Sequence, residues 1–208
     1  MSRMKLPSTA FARRRSSRAA FLLLLASLGV CAGRIAEATG GPQRPADGEA
    51  KVTTVFLVRH AEKADGPGQD PPLSEAGRQR AEALARLLQN AGVKGLYTSQ
   101  FLRTRQTAEP LAKRLGLTAS PVPLSVKPSN PREVTDESIR ELTKKVEAHA
   151  GEAVLIVGHT NSVPEVIRML GGDAVPKIDE SRFDDLFVVT VYAGGRAKVI
   201  HLKYGSTD

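Results

Sequence analysis

From residue 52 onward, apolar positions alternate between a two-residue period and a three-to-four-residue period. "VTTVFLV" (52–58) is a run of β-branched and apolar residues and predicts a buried strand. "SEAGRQRAEALARLLQNAG" (74–92) places Ala81, Leu84, Leu88 and Ala91 on one face, which predicts an amphipathic helix. Ser74 fits its N-cap and Gly92 its stop. "VKGLYTS" (93–99) predicts a second strand, and "FLRTRQTAEPLAKRLG" (101–116) a second helix with a kink marked by Pro110. "SPVPLSV" (120–126) is a third strand, interrupted by prolines and so expected near a sheet edge. Residues 127–135 form a Pro-rich loop, followed by the helix "DESIRELTKKVEAHAG" (136–151), capped by Asp136. "AVLIVG" (153–158) is uninterruptedly apolar, as expected when both faces are covered. "SVPEVIRMLGG" (162–172) opens with Ser162 and Glu165 as a capping-box pair. "LFVVTVYAGGRAKVIHLKY" (186–204) closes as two strands around Gly194-Gly195. Six strands alternating with helices and ending in a hairpin predict an α/β sandwich with a mostly parallel sheet.

Charge changes the picture only once it is located. The chain has 208 residues and a formal net charge of +8, but residues 1–38 carry +6 of it, leaving +2 for the body. A nucleic-acid-binding reading of the whole molecule is therefore set aside. Those 38 residues read as an export signal: the basic "ARRRSSR" precedes the apolar "AAFLLLLASLGVCAG", with small-residue sites around Val30-Cys31-Ala32 and Ala36-Glu37-Ala38. The expectation is a periplasmic or secreted protein, with an uncleaved amino-terminal anchor as the other reading. "TGGPQRPADGEAK" (39–51) is a Gly- and Pro-rich linker, and residues 52–208 are the domain proper. Cys31 is the only cysteine, so the body has no disulfide framework, thiolate nucleophile or Cys-based metal site.

In a parallel α/β sheet, ligands bind outside the carboxyl ends of the strands. Three predicted strand ends carry reactive or cationic residues. The first has Arg59 and His60, the second leads to Arg103 in the first turn of a helix, and the fourth ends at His159. Two arginines and two histidines on one rim suit a phosphate, the anion best matched by planar guanidinium forks. Arg59-His60-Ala61-Glu62, then Ser99, Arg103, Thr107 and Ala108, then Gly158-His159 resemble the signature of the histidine phosphatase superfamily. Leu73, Ser74 and Gly77 fit its pattern as well, and the resemblance spans roughly residues 52–203.

That resemblance implies a phosphoglycerate mutase-like, three-layer α/β/α sandwich with a six-stranded sheet. It also implies a metal-independent phosphohydrolase without cofactors, acting on a small phosphorylated molecule through a phosphohistidine intermediate. His60 is then the nucleophile, its second ring nitrogen fixed by a backbone acceptor such as Gly66, while Arg59, Arg103 and His159 bind the phosphoryl oxygens. For Glu62 two readings stand: a carboxylate that orients an arginine of the site, or an exposed loop charge. Lys63 and Arg105 read as solvated, His149 as structural, and His201 carries no signal. The proton donor is not identified: Glu62, Glu133, Asp136 and Glu137 are the candidates by position, and Thr160 stands where one branch of the superfamily has Asp. Short members without inserted segments include phosphohistidine phosphatases, an alternative activity; an anion-binding module with little turnover is another.

Overall fold

The computed structural model describes residues 51–205. The export segment 1–38, Cys31 and all of the linker but Lys51 lie outside the described residues. Eight strands and four helices follow in the order β1 (Thr53–Arg59), α1 (Glu75–Leu88), β2 (Val93–Thr98), α2 (Leu102–Leu115), β3 (Ser120–Pro121), β4 (Val126–Lys127), β5 (Asn130–Val134), α3 (Asp136–Glu147), β6 (Ala153–Gly158), α4 (Val163–Met169), β7 (Asp185–Val191) and β8 (Ala197–Lys203). Six strands form one sheet in the order β3-β2-β6-β1-β7-β8. The β3–β2, β2–β6 and β6–β1 pairs are parallel, and β1–β7 and β7–β8 are antiparallel. No helix among the described residues is long and apolar enough to cross a membrane.

Successive side chains of a strand point to opposite faces, so the central strands build two cores at once. Val55 and Leu57 of β1, with Val154 and Ile156 of β6, pack against Ile139, Leu142 and Val146 of α3 and Val166 and Ile167 of α4. On the opposite face, Val58 of β1 and Leu155 and Val157 of β6 join Leu84 and Leu88 of α1 and Leu111 and Ala112 of α2. Helices therefore cover both faces, giving the three-layer α/β sandwich. This double burial explains the unbroken apolar run of β6.

Several local readings need correction. Helix α1 starts at Ser74 as expected, with Ser74 Oγ accepting from Gly77 N at 3.0 Å. It stops at Leu88, however, and Gly92 (φ 70°) serves the tight turn into β2 instead. Helix α3 is capped by Thr135, which accepts from Ser138 N, and Asp136 is already helical. Ser162 and Glu165 form no capping box: Ser162 Oγ accepts from the backbone of His159, and Glu165 pairs with Arg168. Helix α2 runs through Pro110 from Leu102 to Leu115. The proline-interrupted third strand shrinks to the two-residue edge strand β3, and the Pro-rich loop contains β5, which pairs with β4 as a separate hairpin. Asn130 begins β5, and Pro131 costs little on so short a ribbon.

The start of α1 sets how closely the loop after β1 is held. A Cβ on Gly77 would stand 2.1 Å from the backbone oxygen of Glu62, and backbone cannot yield as a flexible side chain would. Gly77→Ala should therefore cost about 1–3 kcal/mol through overpacking. In a domain of this size that lowers the melting temperature by several degrees, roughly 2–4 °C per kcal/mol, measurable by calorimetry.

Candidate active site

The strand order β2-β6-β1 places three parallel carboxyl ends side by side, and each delivers part of the site. Strand β1 ends in Arg59, and His60 N continues the ladder by donating to Gly158 O at 3.0 Å. Strand β6 ends at Gly158, directly before His159. Strand β2 runs into Ser99, and Arg103 follows in the first turn of α2. Arg59, His60, Arg103 and His159 come together around a single cleft of about 670 Å³. Its other walls include Phe101, Leu124 and Val126, so the β4–β5 hairpin closes one side. A smaller, polar lobe of about 250 Å³ shares Arg59, His60 and Arg103 and adds Lys63, Asp65 and Gly66.

His60 is buried, and its Nδ1 lies 2.8 Å from the backbone oxygen of its neighbour Ala61. A carbonyl only accepts, so Nδ1 carries the proton and the neutral ring leaves Nε2 with a free lone pair. The acceptor is thus Ala61 rather than Gly66. Ala61 is itself held, because its N–H donates to Thr107 Oγ1 at 3.0 Å, and that hydroxyl donates to Arg103 O at 2.7 Å. Burial pushes His60 down to about 4, the Arg103, Arg59 and Lys63 charges act in the same direction, and the bond to Ala61 opposes them.

His159 stands with its ring centroid 5.3 Å from that of His60, edge to face. Ser99 Oγ lies 2.8 Å from its Nε2 and 2.9 Å from Thr104 Oγ1, leaving Nδ1 as the unengaged ring nitrogen. Burial, then the His60 and two arginine charges, push His159 down to about 3. Both histidines are therefore neutral at pH 7, and the fixed positive charge of the site belongs to the arginines.

Arg59 is clamped. Its Nη1 donates to the backbone oxygens of Asp179, Glu180 and Arg182 at 3.1, 2.7 and 2.9 Å, and the guanidinium lies 4.1 Å over the Phe183 ring. Its Nε is buried with no acceptor among the described residues. An unpaired buried donor costs about 1–3 kcal/mol, a cost removed when a ligand oxygen supplies the acceptor. Arg103 stacks 4.3 Å over Phe101, and its Nη1 is 3.6 Å from Asp70. Both carboxylate oxygens of Asp70 also accept from Leu102 N, at 2.8 and 3.0 Å, so a side chain from the loop after β1 caps α2.

Glu62 does not join this group. Its carboxylate accepts from Arg80 Nε at 2.8 and 3.0 Å, while Arg80 Nη1 donates to Tyr204 O. It does orient an arginine, but one that ties the loop after β1 to the end of β8. Lys63 and Arg105 are exposed, as expected. His149 bridges Tyr97 and Glu152, and His201, which had no signal in the sequence, pairs with the buried Asp185. The clamp loop 179–183, Phe183 and Asp70 went unnoticed because loop residues carry no periodicity to mark them. Among the described residues, no group of three or more His, Cys, Asp or Glu side chains could hold a metal ion.

Residues 55–128, which supply Arg59, His60 and Arg103, match the model of the histidine phosphatase superfamily (branch 1). Over this segment the chain is similar to the histidine phosphatase superfamily. A probable phosphoglycerate mutase GpmB from Yersinia pestis (strain Pestoides F) is 33% identical over 98 residues, 44% of this chain and 39% of that protein. The chain thus spans about two-fifths of the length of such curated relatives. Among solved structures, the protein histidine phosphatase SixA complexed with tungstate superposes with a TM-score of 0.57 at 22% identity, covering 72% of this chain and 96% of that one. A phosphoglycerate mutase from Bacillus anthracis str. Sterne gives 0.55 at 18% identity, covering 74% and 93%. The shared property at these identities is the fold, which is phosphoglycerate mutase-like.

The burial of His60 and His159 fixes a titration. By ¹⁵N NMR both rings should be neutral at pH 6, His60 with its proton on Nδ1, and His60 should take up a second proton only near pH 4. An unfolded histidine titrates near 6.5, so between 6.5 and 4 the unfolded chain binds protons that the folded chain refuses. The two histidines should therefore make stability fall as pH drops through that window.

Proposed function

We propose that this protein is a metal-independent phosphohydrolase that removes a phosphoryl group from a small phosphorylated molecule through a covalent intermediate on His60. The observation that carries this reading is the state of His60. The ring is neutral, its Nδ1–H is committed to Ala61 O, its Nε2 is left free, and it lines one cleft with Arg59 and Arg103. A module that only bound anions would gain nothing from a buried neutral imidazole there. A nucleophile needs that form.

In the first half-reaction Nε2 attacks phosphorus, and the equatorial oxygens gather charge. Arg59 meets them with Nη2, which its carbonyl clamp leaves unused. Arg103 comes from the first turn of α2, after β2, two strands along the same rim from β1. With Ser99 Oγ donating to its Nε2, neutral His159 carries its proton on Nδ1 and donates from there a hydrogen bond that strengthens as charge develops. Water then attacks the phosphohistidine and restores the imidazole. Positive charge comes from the protein itself, so chelators should leave turnover unchanged. The tungstate in the solved SixA structure is a phosphate-like oxyanion held by a protein of this fold.

His60→Ala should abolish turnover of an aryl phosphate while leaving the melting temperature near that of the wild type. Acid quench of wild-type protein with labelled substrate should trap an acid-labile, base-stable adduct on His60. Steady turnover by His60→Ala would overturn the covalent mechanism. His159→Ala should retain the adduct but slow its formation by roughly 10²–10³, the usual effect of one lost transition-state donor. Vanadate titration gives an independent check of the anion site. Arg103→Ala should bind it at least 10-fold more weakly, since a hydrogen bond to a charged group contributes about 1.5–3 kcal/mol.

A further inference from the structure

Resting on the phosphohydrolase reading, we propose that Glu180 is the proton donor for the leaving group, which makes phosphate monoesters of ordinary alcohols the substrate class. The acidic residues that sequence position suggested for this role are paired elsewhere or, like Asp136, do not line the cleft. Glu62 is held by Arg80, Glu133 by Lys127 and Asn130, and Glu137 by Arg140, while Asp136 belongs to the first turn of α3. Asp70 caps α2, and Asp179 accepts from Ser181 N and Oγ at 2.8 and 2.7 Å. Glu180 differs from all of these. It lines the larger lobe together with His60 and His159, and its carboxylate enters no hydrogen bond or ion pair among the described residues. Its main chain is fixed nonetheless, because its carbonyl accepts from Arg59 Nη1 at 2.7 Å.

The geometry of the two lobes says where the leaving group goes. A phosphoryl group held by Arg59, His60 and Arg103, which both lobes share, must extend its ester oxygen into one of them. The larger lobe, about 670 against 250 Å³, has room for an alcohol and carries Glu180. The groups facing that lobe are Arg59, Arg103, His60 and His159; the two arginines are occupied by phosphoryl oxygens once substrate binds.

The step balances as follows. The Nε2–P bond forms, the P–O ester bond breaks, and the departing alcohol oxygen takes the proton of the Glu180 carboxyl group. In the second half-reaction, water oxygen bonds to phosphorus, the N–P electron pair returns to Nε2, and the Glu180 carboxylate takes the water's proton. The products are the alcohol and inorganic phosphate, with Glu180 restored. A phosphorylated imidazole would need much less from such a donor.

The test compares Glu180→Gln with the wild type on two substrates. Phenyl phosphate has a leaving group that needs a proton; 2,4-dinitrophenyl phosphate has one that does not. Loss of a general acid should slow phenyl phosphate turnover by roughly 10²–10³ and 2,4-dinitrophenyl phosphate by less than about 3-fold. Glu180→Asp should recover part of the lost rate, and Asp65→Asn, in the smaller lobe, should not discriminate between the two esters. Equal slowing of both esters by Glu180→Gln, or the selective loss appearing in Asp65→Asn instead, overturns the assignment. If the assignment alone is wrong, wild-type protein still yields the His60 adduct from 2,4-dinitrophenyl phosphate. If no adduct forms, the phosphohydrolase reading falls and the role of Glu180 with it.

Discussion

The backbone of one residue, Ala61, governs the candidate site. Its carbonyl fixes the tautomer and direction of the His60 ring, and its N–H is held by Thr107 of α2. The same Thr107 hydroxyl donates to the carbonyl of Arg103, so nucleophile and arginine are set by one short chain of hydrogen bonds. Beneath this chain, Ala61 packs with Leu73 and Ala81, and Glu62 O meets Gly77 at the start of α1. The loop after β1 is pressed from both sides by helices that belong to the same layer. A reaction that depends on sub-ångström alignment gains most from support of this kind.

The electrostatics follow from the same burial. A buried imidazole flanked by two guanidiniums has little tendency to protonate, so the two histidines are neutral and the arginines alone carry charge. Holding two cations near each other without their anion is costly, and each is restrained differently. Arg59 is clamped by three carbonyls of the loop before β7 and backed by Phe183. Arg103 lies over Phe101 beside Asp70. The aromatic faces and carbonyl dipoles offset part of the repulsion without neutralising the charge an incoming phosphate would meet. Glu62, which is close in sequence to all of this, serves the frame instead by holding Arg80 against the end of β8.

The solved SixA and Bacillus anthracis structures carry the same architecture at 18–22% identity. That divergence is what the packing permits: the two cores ask only for apolar residues of about the right size on alternate positions of β1 and β6. The rim allows much less freedom, because each site residue answers to a particular atom. The larger lobe lies between these regimes. The β4–β5 hairpin forms one wall, the clamp loop with Glu180 forms another, and neither belongs to the central sheet.

The sequence by itself determined the order of strands and helices, the parallel centre with its terminal hairpin, and the three strand ends where Arg59, His60, Arg103 and His159 gather. All of these are local signals: periodicity, turn residues, and charged residues placed where an apolar run stops. It put the cap of α3 one residue late, because Thr135 and Asp136 are equally plausible caps until the chain's direction into the helix is known, and it gave Ser162, which does stand at the N-cap of α4, a capping-box bond that it does not make. It read 127–135 as loop because a two-residue strand pairing with a Pro-containing ribbon has no period to detect. Only the tertiary structure decided which backbone atom holds His60, that Glu62 turns to Arg80, and that residues 179–183 clamp Arg59 from 120 to 123 positions away. Such contacts join segments whose spacing in the chain is arbitrary, so no local pattern encodes them; they exist only once the sheet has brought the strand ends together.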